Sequence, residues 1–214
     1  MESWPLGRPP SSDDAAAAAV EARVDAAFAA QPRTRFLPAS ARRDAGVNAP
    51  LAIGHAQTNS QPSTVRDMLL LLDVRPGMRV LDLGAGSGWT TALLGELIGQ
   101  DGTVLGVERV PELVEFGRGN LADARVPWAR IETAADDSLG APGSAPFDRI
   151  LVSAMARRLP DELIGQLTPG GVMAIPVDGT MLRVRRVPTA PGEPVRAEVT
   201  EHGGYAFVPL IDPL

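Results

Sequence analysis

The stretch "VLDLGAGSGW", residues 80–89, places an acid and then glycines at every second position where an apolar run stops. The missing side chains of Gly84, Gly86 and Gly88 let the backbone approach a ligand closely. The helix expected to begin there offers unpaired N–H groups to an anionic group. Glu108 ends the next apolar run, "GTVLGVE", where a carboxylate in such a frame accepts both hydroxyls of a ribose. Asp136 and Asp137 follow the third run, "ARIETA", where an adenine amino group would be met. Upstream, Thr58, Asn59, Ser60 and Gln61 crowd small polar groups in front of the leucine-rich "MLLLL". Two readings stand for them: a helix cap, or a loop facing a ligand.

The glycine spacing narrows the ligand. A dinucleotide turn of the form G-x-G-x-x-G wants glycine at position 89, and this chain has Trp89. The G-x-G-x-G spacing behind Asp82 fits S-adenosylmethionine better. That cofactor has no pyrophosphate, carries an ammonium that needs an acid such as Asp82, and has a carboxylate suited to the N–H groups of residues 84–88. Taken singly, a glycine turn is often only a turn, and a strand-end glutamate is often only a solvated charge. Their order within one strand–helix–strand frame makes cofactor binding the expectation.

These residues need a scaffold, and the chain supplies the pattern of one. Residues 1–14, rich in Pro, Ser and Gly, read as a loose tail. Asp14 is placed to cap an alanine-rich helix whose apolar stripe is Val20, Val24 and Phe28. An irregular arginine-bearing connector, residues 31–50, leads to a helix with Pro62 in its first turn. From Gly77 onward, short aliphatic runs alternate with helical stretches, and several runs are apolar on both faces. This predicts an α/β fold, three-layer and doubly wound, around a mostly parallel seven-stranded sheet with right-handed crossovers. "TMLRVRRV", "VRAEVTEH" and "YAFVPL" predict antiparallel strands at the C-terminal end, and the first helices form an N-terminal cap. One domain over 15–214 is expected: an N-terminal active-site segment (15–76), a cofactor-binding core (77–178) and closing strands (179–214).

Composition excludes several chemistries. The 214 residues carry a net charge of −6, which argues against a nucleic-acid partner needing a clustered basic surface. All twenty Lys+Arg cations are arginine, so there is no amine for a Schiff base and no P-loop lysine. With no cysteine, thiol catalysis, disulfides and Cys-type zinc sites are out, and no metal site is expected. The N-terminus lacks a basic start followed by an apolar stretch, and no apolar run could span a bilayer. A soluble, cytoplasmic, monomeric protein is the expectation.

With these residues in view, the chain resembles the protein-L-isoaspartate O-methyltransferase family over roughly residues 20–210. "PLAIGHAQTNSQP" is similar to its PL-x-IG-x-G-x-T-x-S-x-P segment, and "PGMRVLDLGAGSGW" to its cofactor turn. "VERVPEL" is similar to its ribose-binding strand end, "ADDSLG" to its G-D-G-x-x-G, and "FVPL" to its closing segment. The resemblance implies a class I, Rossmann-like methyltransferase that uses S-adenosylmethionine on isoaspartyl proteins or peptides. It implies that Ser60 lies at the active site beside the methyl donor, orienting the acceptor by hydrogen bonding. It places Thr58, Asn59, Gln61, Asp82, Gly84, Ala85, Gly86, Ser87, Gly88, Glu108, Arg109, Asp136 and Asp137 around the cofactor. The acceptor is a carboxylate, already ionised at neutral pH, so His55 and His202 are not needed as bases. The methyl ester would then close to a succinimide, whose hydrolysis returns some normal aspartate.

Several positions depart from the family's pattern. Gly46 and Asn48 replace an aromatic residue and an acid, Ala56 a glycine, Asn59 an aliphatic residue and Asp137 a glycine. Two of these alter the rim where a peptide would lie, and they keep two alternatives open. One is a relative that drives aspartate to aspartimide in a ribosomally made peptide. The other is a non-catalytic S-adenosylmethionine-binding module.

Overall fold

The computed structural model describes residues 12–190 and 192–211. Most of the expected tail, residues 1–11, lies outside the described residues. The first helix, α1 (Ser12–Ala30), begins before Asp14, so Asp14 sits inside its first turn and is not the cap. Val24 and Ala27 of this helix are buried, and Phe28 meets Trp89 edge-on at 5.4 Å between ring centroids.

A short 3-10 turn at Arg33–Phe36 and another at Arg42–Asp44 occupy the connector. There follows a small antiparallel hairpin, β1 (Leu51–Gly54) and β2 (Gln57–Asn59), which the pattern of residues did not announce. Its two turn residues, His55 and Ala56, both have positive φ (53° and 56°), as a tight hairpin with right-handed strand twist demands. Helix α2 (Pro62–Leu72) comes next and buries Val65, Met68, Leu69 and Leu72.

The core then alternates as expected: β3 (Arg79–Leu83), α3 (Trp89–Ile98), β4 (Thr103–Glu108), α4 (Pro111–Asp123) and β5 (Ala129–Thr133). It continues through β6 (Phe147–Val152), the one-turn α5 (Asp161–Gly165), β7 (Leu167–Val177), β8 (Thr180–Val187) and β9 (Arg196–Gly204). The seven-stranded sheet runs β5-β4-β3-β6-β7-β8-β9. Its first five strands pair in parallel and its last two antiparallel. The fold class is therefore the expected one. "YAFVPL", however, is not a strand. It docks irregularly, Met155 N–H donating to Val208 O (2.7 Å) and Leu210 N–H to Met155 O (2.8 Å).

Consecutive residues of the central strands go to opposite faces and are buried on both. Val80, Val104, Leu151 and Val172 meet one face, under α1–α4. Leu81, Leu105, Ile150 and Met173 meet the other, covered only by α5, by irregular segments around Leu139 and Ala145, and by Leu210. The helical layers are thus unequal. Leu159, Pro160 and the loop from Asp137 to Ala145 border an open cleft on the thin side. Among the described residues, no helix is long and apolar enough to cross a membrane.

Helix α2 is pinned at both ends. Arg149 Nε donates to Leu72 O at 2.6 Å and Arg183 Nε to Leu71 O at 2.9 Å, satisfying carbonyls that a helix C-terminus leaves unpaired. Burial pulls the Arg149 pKa down, with Asp73 and Asp148 opposing. At the other end, Ser63 N–H donates to Asn48 Oδ1 at 3.0 Å. The cap of α2 thus comes from Asn48, fifteen residues back along the chain. Neither Ser60 nor Gln61 supplies it: Gln61 holds the N-cap position and makes no side-chain cap bond.

Candidate active site

In the sheet order, β3 and its neighbour β6 mark the place where the chain reverses direction across the sheet. Ligands of such sheets bind outside the carboxyl ends of the strands at that point. A cavity opens there, lined by Leu83–Ser87 after β3, Val107–Val110 after β4, Ser138–Gly140 after β5, and Ser153 and Ala154 after β6. Ile53 and residues 57–60 wall it from the hairpin, and residues 208–211 from the C-terminal segment.

The glycine turn is built as its spacing predicts. Gly84, Gly86 and Gly88 have φ of 83°, 51° and 83°, a region that favours glycine. A side chain at Gly88 would also meet Gly117 O of α4 at 3.0 Å. The turn hangs on β4, with Gly84 N–H and Ala85 N–H both donating to Val107 O. Glu108, buried to 8% exposure, reaches across: its Oε2 accepts Gly86 N–H at 2.9 Å. Its Oε1 accepts Arg109 N–H (2.8 Å) and Val110 N–H (3.0 Å). These three bonds leave the carboxylate acceptor capacity toward the cavity.

Asp82 is not in the cavity wall. It lies fully buried beneath the turn, where its Oδ2 accepts the hydroxyls of Thr90 and Thr91, both at 2.7 Å. Its Oδ1 is buried with no partner among the described residues. Burial pushes its pKa up to about 6, the Thr91 and Thr90 hydroxyls pull it down, and the charge of Glu108 adds to the rise. Asp82 therefore lies behind the turn, apart from the residues that line the cavity.

Other expected residues divide in the same way. Thr58, Asn59, Ser60, Gly84, Ala85, Gly86, Ser87, Glu108 and Arg109 line the cavity. Gln61, Gly88, Asp136 and Asp137 do not. Gln61 donates to Ser63 Oγ at 2.7 Å, and Gly88 closes the turn against α4. The Asp136 side chain is 93% exposed and faces Arg109 at 3.7 Å. Asp137 borders the thin-side cleft. In their place Ser138, Leu139 and Gly140 form that wall. The Ser60 hydroxyl makes no hydrogen bond to any described residue, so it remains available to a ligand.

One residue that supports the cavity's wall without lining it was not singled out in the sequence. Arg33, 5% exposed, spreads its guanidinium under the 57–60 loop. Nε donates to Asn59 Oδ1 at 2.7 Å, and Nη2 to Asn59 O and Ser60 O, both at 2.9 Å. Nη2 also reaches Ala49 O (2.8 Å) and Nη1 reaches Val47 O (3.0 Å). Its Cζ lies 5.5 Å from the centre of the Trp89 ring. Burial lowers its pKa to about 10, which leaves it charged at neutral pH. The sign in the sequence was one of two arginines in "QPRTRF", indistinguishable there from the exposed Arg35.

Comparison with known proteins agrees with this geometry. The family model for protein-L-isoaspartate(D-aspartate) O-methyltransferase matches residues 14–213. The Methanopyrus kandleri protein-L-isoaspartate O-methyltransferase is 45% identical over 190 residues, 88% of this chain and 83% of the relative. That of Pyrococcus horikoshii is 41% identical, over 88% of this chain and 84% of the relative. A solved protein-L-isoaspartate O-methyltransferase superposes with TM-score 0.76 at 22% identity, over 92% of this chain and 63% of its own. A Plasmodium falciparum structure assigned to the same activity, in complex with S-adenosyl-L-homocysteine, gives TM-score 0.73 at 22% identity, over 88% and 90% of the two chains. At that identity the two structures speak for the fold alone. The extent of the family match and the identity of the archaeal relatives decide the rest: the chain belongs to the protein-L-isoaspartate(D-aspartate) O-methyltransferase family.

Proposed function

We propose that the protein transfers a methyl group from S-adenosylmethionine to the free carboxylate of an L-isoaspartyl residue in a protein or peptide. The observation that carries this reading is the Ser60 loop, held by Arg33 against the same cavity that Glu108 and the glycine turn wall from the other side. The donor, when bound, supplies an activated methyl carbon on a sulfonium. Glu108 would accept from the ribose with the acceptor site that its three backbone bonds leave open. Ala85 N–H and Gly86 N–H are already spent on Val107 O and Glu108, so the Ser87 N–H would meet the donor's carboxylate, and buried Asp82 would stabilise its ammonium through the turn.

What is left for the protein is placement. The acceptor carboxylate is ionised at neutral pH and needs no base. Ser60, its hydroxyl unengaged by any described residue, would orient that carboxylate or the adjoining amide. The gain comes from holding acceptor oxygen and methyl carbon together in a cavity walled by Ile53, Leu83 and Val208, which limits competing water. Nothing in this chemistry needs a metal or a nucleophilic side chain.

The test pairs an isoaspartyl peptide with its normal aspartyl twin, using radiolabelled methyl donor. Label is expected only in the isoaspartyl peptide. Ser60→Ala is expected to lower kcat by about 10- to 100-fold, the loss of one orienting hydrogen bond, while donor affinity stays near wild type. Methylation of the aspartyl twin would replace repair with aspartimide formation. Donor binding with no transfer to either peptide would reduce the protein to a binding module.

A further inference from the structure

Two loops of different origin meet in the cavity. The donor-side turn, residues 84–88, hangs on β4, whereas the acceptor-side loop, residues 57–60, hangs on Arg33. One side chain joins them. Asn59, only 4% exposed, accepts from Arg33 Nε at 2.7 Å through its carbonyl oxygen. Through its Nδ2 it donates to Ser87 Oγ at 3.0 Å. Ser87 is itself fixed, because its carbonyl accepts Asn120 Nδ2 of α4 at 2.9 Å. A continuous polar chain therefore runs from Arg33 through Asn59 to Ser87 and α4, within a region almost closed to water.

We propose that Asn59 is a positioning residue that couples the two halves of the site, so that order in the donor turn is transmitted to the loop bearing Ser60. The inference rests on the functional reading above for what the halves bind, but the coupling is a property of the free protein. The physical reason is that each partner has few alternatives. Arg33 Nε is buried and loses its acceptor if Asn59 moves. The Asn59 amide, equally buried, loses its acceptor if Ser87 moves. A shift of the glycine turn on binding donor is therefore opposed or followed by residues 57–60, and the carbonyls of Asn59 and Ser60 are tethered to the same guanidinium. Coupling through such a short network is expected to be strongly non-additive on mutation.

Amide hydrogen exchange over residues 57–61 reads this without any acceptor. In the ligand-free protein, Ser87→Ala is expected to speed exchange there about three- to tenfold, the loss of one neutral hydrogen bond. Asn59→Leu should speed it at least as much, and the double variant no more than Asn59→Leu alone. In the wild type, S-adenosylhomocysteine should slow exchange over both 84–88 and 57–61. In Ser87→Ala it should slow only 84–88, a difference that mere loss of stability does not produce. Unchanged exchange in Ser87→Ala, full additivity in the double variant, or wild-type transmission in Ser87→Ala each overturns the bridge. A wild type that shows the transmission yet methylates no isoaspartyl peptide overturns the functional reading and leaves the bridge standing.

Discussion

Asp82 is a charge kept where water cannot reach it, and its behaviour with pH follows from that. Burial pushes its pKa in the folded protein up to about 6, whereas the unfolded chain releases the proton near the ordinary aspartate value of 3.8. Between those values the native state binds more protons than the unfolded state, so the stability linked to this group falls as pH rises. By neutral pH the loss is on the order of 3 kcal/mol relative to acid. Asp82→Asn is expected to abolish that slope. The check is denaturant unfolding of both proteins between pH 4 and 7, with the difference in stability widening in the variant's favour. The same residue shows how far sequence reached at this scale. Spacing placed an acid before the turn and gave Glu108 and the three glycines their positions, whereas the place of Ser60 came only from the family resemblance. It could not tell that the strand's alternation aims Asp82 into the interior, where only Thr90 and Thr91 meet it. Arg33 was invisible for a related reason: its partners are mostly backbone carbonyls, from Val47, Ala49, Asn59 and Ser60, and carbonyls leave no mark in composition.

Among the elements, the hairpin β1–β2 departs most from what the residues announce. Its strands are four and three residues long, too short for period-two alternation to stand out, and its turn reads His-Ala instead of Asn-Gly. Ala56 is held at φ 56°, a conformation that costs a residue with a Cβ roughly 1–2 kcal/mol. Ala56→Gly is therefore expected to stabilise the protein by about 0.5–1 kcal/mol, net of glycine's extra freedom when unfolded. A rise in Tm of about 1–3 °C would register it, and a fall would show that the turn is not strained. Long, strongly patterned elements were legible: α3, with nine of its ten residues buried, and the strands of the parallel core. "YAFVPL" carried a strand-like composition, but tertiary context overrides propensity in so short a segment. Its Tyr205 hydroxyl instead donates to Asp67 Oδ2 of α2 at 2.9 Å, with the ring against the core on the face that α2 covers.

Taken whole, the molecule is lopsided. Four helices cover one face of the sheet, while the other has a five-residue helix and irregular chain. Fewer apolar contacts there make local opening cheaper. Hydrogen exchange at neutral pH is expected to find residues 134–145 and 161–165 opening well before α3, whose amides should report global unfolding. Equal protection of the two faces would contradict this. The seven-stranded order was readable because βαβ alternation and right-handed crossovers leave few other arrangements. The thin face was not, since "SLGAPGSAPF" holds only a 3-10 turn at Pro142–Ser144 where a second covering helix would otherwise lie.

The cavity draws its walls from residue 53 through residue 211, with the parallel core between them. A chain still emerging from the ribosome can pair β3 through β6 and form the glycine turn long before Val208–Ile211 exist to flank it. Until those residues dock on Met155, the pocket stands open on one side. Closure of the site therefore comes after the parallel core, and a chain cut before Val208 would lack one wall of it.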